Sequence, residues 1–225
     1  MQHIDHILDK LRTETPFAFA RFNDGEMGGI HEVGSRAARG DQVVSLSLQQ
    51  ALRSALEMEQ EQYWIGVPCS ICFPKFRKLA DEIIRSDRPY VTHATLFVNR
   101  NYEKVKQDFP GILQNREIIW VSGADQKTQG LIDAGICSNI SQHIKVPCKN
   151  AWGAYEETYP LLSEIPPGAV VALSCGPLSR VLAAQWWAQR QDITLLDIGS
   201  LFDPQTRGVR HRFHVGQLPP CEECN

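Results

Sequence analysis

Ala169-Val170-Val171-Ala172-Leu173-Ser174-Cys175-Gly176-Pro177-Leu178-Ser179 is the stretch that decides the fold. Its first half reads as a buried strand, apolar and rich in β-branched side chains. Gly176-Pro177 then makes a tight turn. Proline suits the first turn of a helix, because its missing N–H would be unpaired there anyway. The same order, a short apolar run followed by a helical pattern, recurs along the whole chain. Strands are predicted at Phe17–Arg21, Tyr63–Val67, Val91–Val98, Ile118–Ser122, His143–Val146, Ala169–Ser174 and Ile193–Asp197. Helices are predicted at Ser47–Gln60, Pro74–Ser86, Tyr102–Phe109, Ala151–Ser163 and Leu178–Arg190. Such alternation is the signature of an α/β protein. The expectation is a single Rossmann-like domain, a mostly parallel sheet flanked by helices, without internal repeat or long linker.

Composition narrows the function. The chain has 225 residues, 43% of them hydrophobic and 22% charged, enough for one sizeable packed domain. A formal net charge of −3 lacks the basic footprint of a nucleic-acid binder. Any phosphate would therefore be held locally, by a few arginines, backbone N–H groups or a metal. Met1–Lys10 has an amphipathic helical pattern, without the apolar core of a signal peptide. No run approaches the ~18 apolar residues of a membrane span. These features lead to an expectation of a cytoplasmic protein with no membrane span and no nucleic-acid partner. The seven cysteines, an odd number, argue for reduced thiols over a disulfide framework.

In open α/β sheets ligands bind beyond the carboxyl ends of the strands. Asp24 and Glu26 follow the first predicted strand, Gly123 with Asp125 the fourth, Lys149 and Asn150 the fifth, Gly176-Pro177 the sixth, and Gly199 with Asp203 the last. In Phe19-Ala20-Arg21-Phe22-Asn23-Asp24-Gly25-Glu26, the glycine between two acids permits a bend that lets both carboxylates converge. Converging carboxylates suit Mg²⁺ or Mn²⁺, and Arg21 could neutralise a phosphate held by that ion. The same octet also fits a strand followed by an acidic surface turn.

The helix start after Gly176, Pro177 and Ser179 favours an anion such as a diphosphate, although it is neither a GxGxxG nor a P-loop. An ordinary strand-to-helix connection needs the same residues. Within Pro147-Cys148-Lys149-Asn150-Ala151-Trp152, Asn150 is either a helix N-cap or, with Lys149, a nucleotide contact beside the wall of Trp152. Asp197 or Asp203 could act as a general base at a sugar hydroxyl. Asp203 before Pro204 also fits a turn. Trp186-Trp187 is most simply core packing.

The cysteines allow more than one grouping. Cys69-Ser70-Ile71-Cys72 and Cys221-Glu222-Glu223-Cys224 give CxxC twice, but some 150 residues separate them, so the spacing lends little support to a shared zinc site. A more local set is His211, His214, Cys221 and Cys224, an HxxH-x6-CxxC pattern able to close a small tetrahedral zinc site. A disordered polar tail with incidental cysteines fits as well.

Taken in order, these motifs resemble a known family. Arg21-Phe22-Asn23-Asp24-Gly25-Glu26 resembles the RFGDGE motif of the GT-D fold glycosyltransferases, once catalogued as a domain of unknown function. The segments Ile144–Trp152, Leu173–Pro177 with Val181-Leu182-Ala183, and Leu196-Asp197-Ile198-Gly199 are similar to later motifs of that family. The resemblance covers roughly residues 15 to 205. It implies a GT-D-like domain over 1–205, followed by a tail at 206–225, zinc-binding or disordered.

The resemblance also implies an inverting transferase of hexosyltransferase type. It would take a nucleotide diphosphate sugar, a UDP-sugar by expectation, to a glycan or other hydroxyl acceptor. Mn²⁺ or Mg²⁺ would sit at Asp24 and Glu26. The donor would meet Arg21, Asp24, Gly25, Glu26, Gly123, Lys149, Asn150, Gly176, Pro177 and Ser179, with Asp203 or Asp197 as base. Asn23 departs from the family's glycine and Ser200 from its frequent histidine, which leaves the acceptor side open. Two alternatives stand beside this one: a catalytically inactive nucleotide-binding module on the same fold, and a zinc-dependent hydrolase built on His211, His214 and the terminal cysteines.

Overall fold

In chain order the strands are β1 (Ala18–Arg21), β2 (Arg36–Ala37), β3 (Gln42–Val43), β4 (Tyr63–Val67), β5 (Val91–His93), β6 (Ile118–Gly123), β7 (Gln142–Val146), β8 (Val170–Ser174) and β9 (Thr194–Asp197). The computed structural model describes residues 3–37, 42–99, 101–211, 214 and 221. β2 and β3 form a small antiparallel pair. The other seven make one sheet in the order β5-β4-β1-β9-β8-β6-β7, parallel at every pairing. This is the α/β architecture expected from the alternating pattern. Among the described residues no helix is long and apolar enough to cross a membrane.

The helices are α1 (His3–Arg12), α2 (Asp24–His31), α3 (Leu46–Glu57), α4 (Pro74–Asp81), α5 (Asn101–Leu113), α6 (Gln129–Asp133), α7 (Tyr155–Thr158), α8 (Leu178–Gln189) and α9 (Asp203–Thr206). Strand side chains alternate between faces, and the core divides accordingly. Ala18, Ala20, Val171 and Leu173 point to the layer that holds α3 and α8. Phe17, Phe19, Val170 and Ala172 point to the layer that holds α1 and α5. Trp186 and Trp187 are buried in the first layer, with their indole N–H groups donating to Tyr159 O and Glu61 O, 3.0 Å each.

Three predicted elements come out differently. The strand expected over Val91–Val98 stops at His93. β5 is an edge strand whose single neighbour, β4, ends at Val67, so the ladder has no partner to continue on. Turns close instead, from Leu96 N–H to His93 O and from Val98 N–H to Thr95 O. The helix expected over Ala151–Ser163 breaks into a 3-10 turn at Ala151–Ala154, then α7, then a 3-10 run at Tyr159–Glu164. Pro160 contributes no N–H to an α-helical ladder there. Finally, Asp24-Gly25-Glu26 is not a bend but the first turn of α2. Asn23 is its N-cap, and Glu26 at the third position reaches back to accept from the Asn23 N–H at 3.1 Å, one half of a capping box.

Candidate active site

A cleft of about 190 Å³ opens beyond the carboxyl ends of β1, β6, β8 and β9. Its floor is a buried network of two arginines and two carboxylates. Asp197, fully buried at the end of β9, accepts from the Arg21 N–H at 3.0 Å and the Gly199 N–H at 3.2 Å. The guanidinium of Arg180, in the first turn of α8, lies 3.0 Å from Asp197 and 3.4 Å from Glu26. Arg180 also donates to Arg21 O and Gly176 O, which ties the end of β1 to the loop after β8. Burial works against the charge of Arg180, but Asp197 and Glu26 outweigh it and hold its pKa above the ordinary value.

Arg21 is less well compensated. Burial pushes its pKa down, and neighbouring Arg180 adds to that against the pull of Asp197 and Glu26. Its Nε lies 3.6 Å from Asp197, beyond hydrogen-bond distance, and makes no other hydrogen bond. A guanidinium 14% exposed and lining a cleft, with its Nε sealed from solvent, is suited to meet an anionic ligand through its outer nitrogens. The approach requires Gly199. Its φ of +50° is left-handed, and a Cβ there would collide with the Arg21 guanidinium.

The loop after β8 forms another wall. Ser174 Oγ donates to Gly199 O at 2.6 Å, and the buried Ser179 accepts from the Cys175 N–H at 2.9 Å, pinning the loop from below. Gly176, with φ +61°, makes the turn into α8. Cys175 lines the cleft, yet burial pushes its thiol up to about 12, so it stays protonated and cannot serve as a nucleophile near neutral pH.

The rim carries a second charged group. Asp203, nearly buried at the start of α9, lies 2.8 Å from His211 Nε2 and 3.5 Å from Arg207. Arg207 reaches on to Asp125 at 2.9 Å. Burial alone would raise the Asp125 pKa, but hydrogen bonds from Cys148 and Arg207 hold it below the usual value. Across the cleft, Asn150 adopts a left-handed conformation, φ 51°, and accepts from the Val43 N–H at 3.2 Å. Asn150 thus joins the β2–β3 hairpin to the site.

Of the residues singled out from sequence, Arg21, Glu26, Gly123, Asn150, Gly176, Pro177 and Asp203 line this cleft. Asp24, Gly25, Lys149, Ser179 and Asp197 do not. Asp197 lies beneath the floor with both oxygens engaged, which makes it a positioning carboxylate rather than a base. Ser179 is equally internal, and Lys149 is exposed.

The carboxylate pair needs a further correction. Positions i and i+2 of a helix point about 200° apart, so Asp24 is exposed while Glu26 faces the cleft at 6% exposure. One Glu26 oxygen meets Arg180 and the other the Asn23 N–H. As they stand, the two residues do not fit a preformed Mg²⁺ or Mn²⁺ clamp, and the arginines carry the positive charge of the floor.

In the histidine–cysteine set the two histidines stay together, with the His211 N–H donating to His214 Nδ1 at 3.0 Å, while Cys221 groups with other cysteines. His211 contacts Asp203, His214 lies 3.0 Å from Ser200 O, and Cys221 sits against Cys69 at 3.4 Å. Cys224 lies outside the described residues.

Arg180, Arg207 and Gln42 are the cleft residues that sequence reading passed over. Arg180 left one signal. It is a cation inside the apolar run Leu178–Ala184, one turn after Gly176-Pro177, where a solvated charge has no place.

No family model matches the chain, and no curated protein matches it in sequence. Solved structures do. A structure of domain of unknown function 1792, in selenomethionine form, has a TM-score of 0.68 at 18% identity, covering 88% of this chain and 77% of its own. Another, described as a highly conserved domain of unknown function 1792 with a distinct glycosyltransferase fold, has a TM-score of 0.67 at 17% identity, with 88% and 77% coverage. A third, described as a new glycosyltransferase (DUF1792) from Streptococcus sanguinis, has a TM-score of 0.66 at 19% identity, with 88% and 80% coverage. At these identities the likeness is one of fold. The chain is thus an α/β protein with the glycosyltransferase fold of the domain-1792 structures.

Proposed function

We propose that the protein transfers a sugar from a nucleotide diphosphate donor, a UDP-sugar, to a hydroxyl acceptor with inversion at the anomeric carbon. The observation that carries this reading is the pair of guanidiniums, Arg21 and Arg180, that lines a cleft at the carboxyl edge of the sheet. The donor's diphosphate would lie over these guanidiniums, against the loop that begins α8. There their positive charge, with Arg207 at the rim, would stabilise the departing nucleoside diphosphate. Asp203 would take the proton of the attacking hydroxyl, held in orientation by His211.

Mn²⁺ or Mg²⁺ enters this proposal only as an ion brought in with the diphosphate, since Asp24 and Glu26 do not converge. Calorimetric titration with UDP, with and without Mn²⁺, tests both parts. The parent protein is expected to bind UDP, and Arg207→Ala to bind it about tenfold or more weakly, the loss of one charge-assisted hydrogen bond. Absence of binding to any nucleoside diphosphate would overturn the proposal. Tighter binding with Mn²⁺ that Glu26→Gln or Asp24→Ala abolishes would support the ion, whereas equal affinity in chelator would leave neutralisation to the arginines. Release of nucleotide from a panel of donors then identifies the sugar. Tight UDP binding without turnover across that panel would favour a nucleotide-binding module.

A further inference from the structure

Cys69, Cys72 and Cys221 meet in space although about 150 residues of chain lie between the first two and the third. Their sulfurs all lie within 4.8 Å of one another, with Cys69 and Cys221 at 3.4 Å. A tetrahedral zinc with ~2.3 Å bonds to sulfur sets its thiolates roughly 3.8 Å apart, the range occupied here. A disulfide would need about 2.05 Å and would leave one of the three sulfurs over. The local backbone also fits a metal-binding knuckle. Cys72 donates its N–H to Cys69 Sγ at 3.5 Å, and Phe73 donates its N–H to Cys69 O at 2.9 Å, folding the CxxC so that both sulfurs face one point. An N–H directed at sulfur stabilises thiolate charge. Cys69 and Cys221 are buried and Cys72 is exposed, so the point is shielded on one side and reachable from the other.

We propose that Cys69, Cys72 and Cys221 bind a structural zinc ion. These three thiolates fill three positions of the tetrahedron and leave one for a further ligand or a water. The ion clips the C-terminal segment to the loop between β4 and α4, on the same edge of the sheet as the cleft. That segment brings His211 to Asp203 and His214 to Ser200 O, with the His214 ring 4.9 Å from that of Tyr102. Zinc therefore fixes the piece of chain that supports the rim carboxylate, and it does so whatever reaction the cleft performs.

The test is the metal content of the reduced full-length chain, purified without chelator. About one zinc per chain is expected, released stoichiometrically by a mercurial thiol reagent. Cobalt substitution is expected to give the intense visible bands and sulfur-to-metal charge transfer of a tetrahedral thiolate site. Cys69→Ser, Cys72→Ser and Cys221→Ser should each lose the ion, while Cys148→Ser and the double variant His211→Ala/His214→Ala should keep it. Zinc retained by the Cys221→Ser variant but lost from the double histidine variant would overturn the assignment in favour of a histidine-centred site. A reduced wild-type chain that takes up neither zinc nor cobalt would overturn it outright, as would a Cys69–Cys221 disulfide in the intact mass without metal. The cobalt spectrum needs no variant, so the proposal remains testable should a serine substitution fail to fold.

Discussion

Asp197 ends β9 and Asp203 follows six residues on, and their neighbours give them opposite work. Asp197 is enclosed by the Arg21 N–H, the Gly199 N–H and the Arg180 guanidinium, while Asp203 lines the cleft with one oxygen on His211 and the other 3.5 Å from Arg207. Removing the charge of Asp197 leaves two buried arginines without their common partner, so Asp197→Asn should cost about 3–5 kcal/mol of stability. Denaturant unfolding measures this. Asp203→Asn should keep the fold and the affinity for UDP while lowering kcat by roughly 10²–10⁴-fold. A variant with full turnover would remove Asp203 from the base role. Gly199→Ala tests the close approach of Arg21. A methyl at φ +50° collides with the guanidinium, so the variant should lose UDP binding and melt earlier, with both losses in the same protein. An unchanged affinity would mean that Arg21 is not held where the floor requires it. The enclosure of Asp197 was not legible in sequence, whereas that of Arg180 left only its place inside an apolar run. An acid at the end of an apolar strand looks the same whether it faces a ligand or lies beneath it, and only the neighbours in space decide.

At the scale of elements, α2 and α8 carry the site for different reasons. In α2 the helix itself separates the two acids that a bend would have joined, because successive side chains rotate by about 100°. Sequence reading expected a turn there because Asp-Gly is a turn former. The capping interaction of Glu26 with Asn23 N–H instead favours a helix start. In α8 the Gly-Pro turn was legible and holds as expected, with Gly176 at positive φ. The internal support of that turn was not legible. Ser179 spends its hydroxyl on the Cys175 N–H, inside the protein. Ser179→Ala should strand that buried donor at a cost of about 1–3 kcal/mol. It should also loosen the loop proposed to hold the diphosphate, so UDP affinity and unfolding midpoint should fall together. A loss of stability with unchanged UDP binding would separate the loop from the ligand.

At the scale of the whole molecule, the two-layer core makes a prediction about pH. Burial pushes the Cys175 thiol up to about 12 from an ordinary 9.0, and likewise raises Tyr63 above its ordinary 10.0. Between about pH 9 and 12 the unfolded chain therefore releases protons that the folded chain keeps, and the native state binds more protons than the unfolded one. Stability is fully present below pH 9 and falls as pH rises, by up to about 1.4 kcal/mol per pH unit for each such group. Cys175→Ala should make this alkaline decline shallower, as followed by unfolding midpoints across the range; an unaltered slope would mean that Cys175 is not buried as a thiol. What the sequence by itself determined is the alternation of apolar runs with helical patterns, hence a parallel α/β sheet, and the edge of that sheet where ligands belong. Those features are local, set by periodicity and by Gly-Pro turn chemistry over a few residues. Only the tertiary structure decided that Arg180 joins Arg21 in the floor, that Asp197 is enclosed beneath them while Asp203 stands at the rim, and that Cys221 meets Cys69 and Cys72. Each of these is a contact between distant parts of the chain, and the order of the strands in the sheet, rather than spacing along the chain, brings them together.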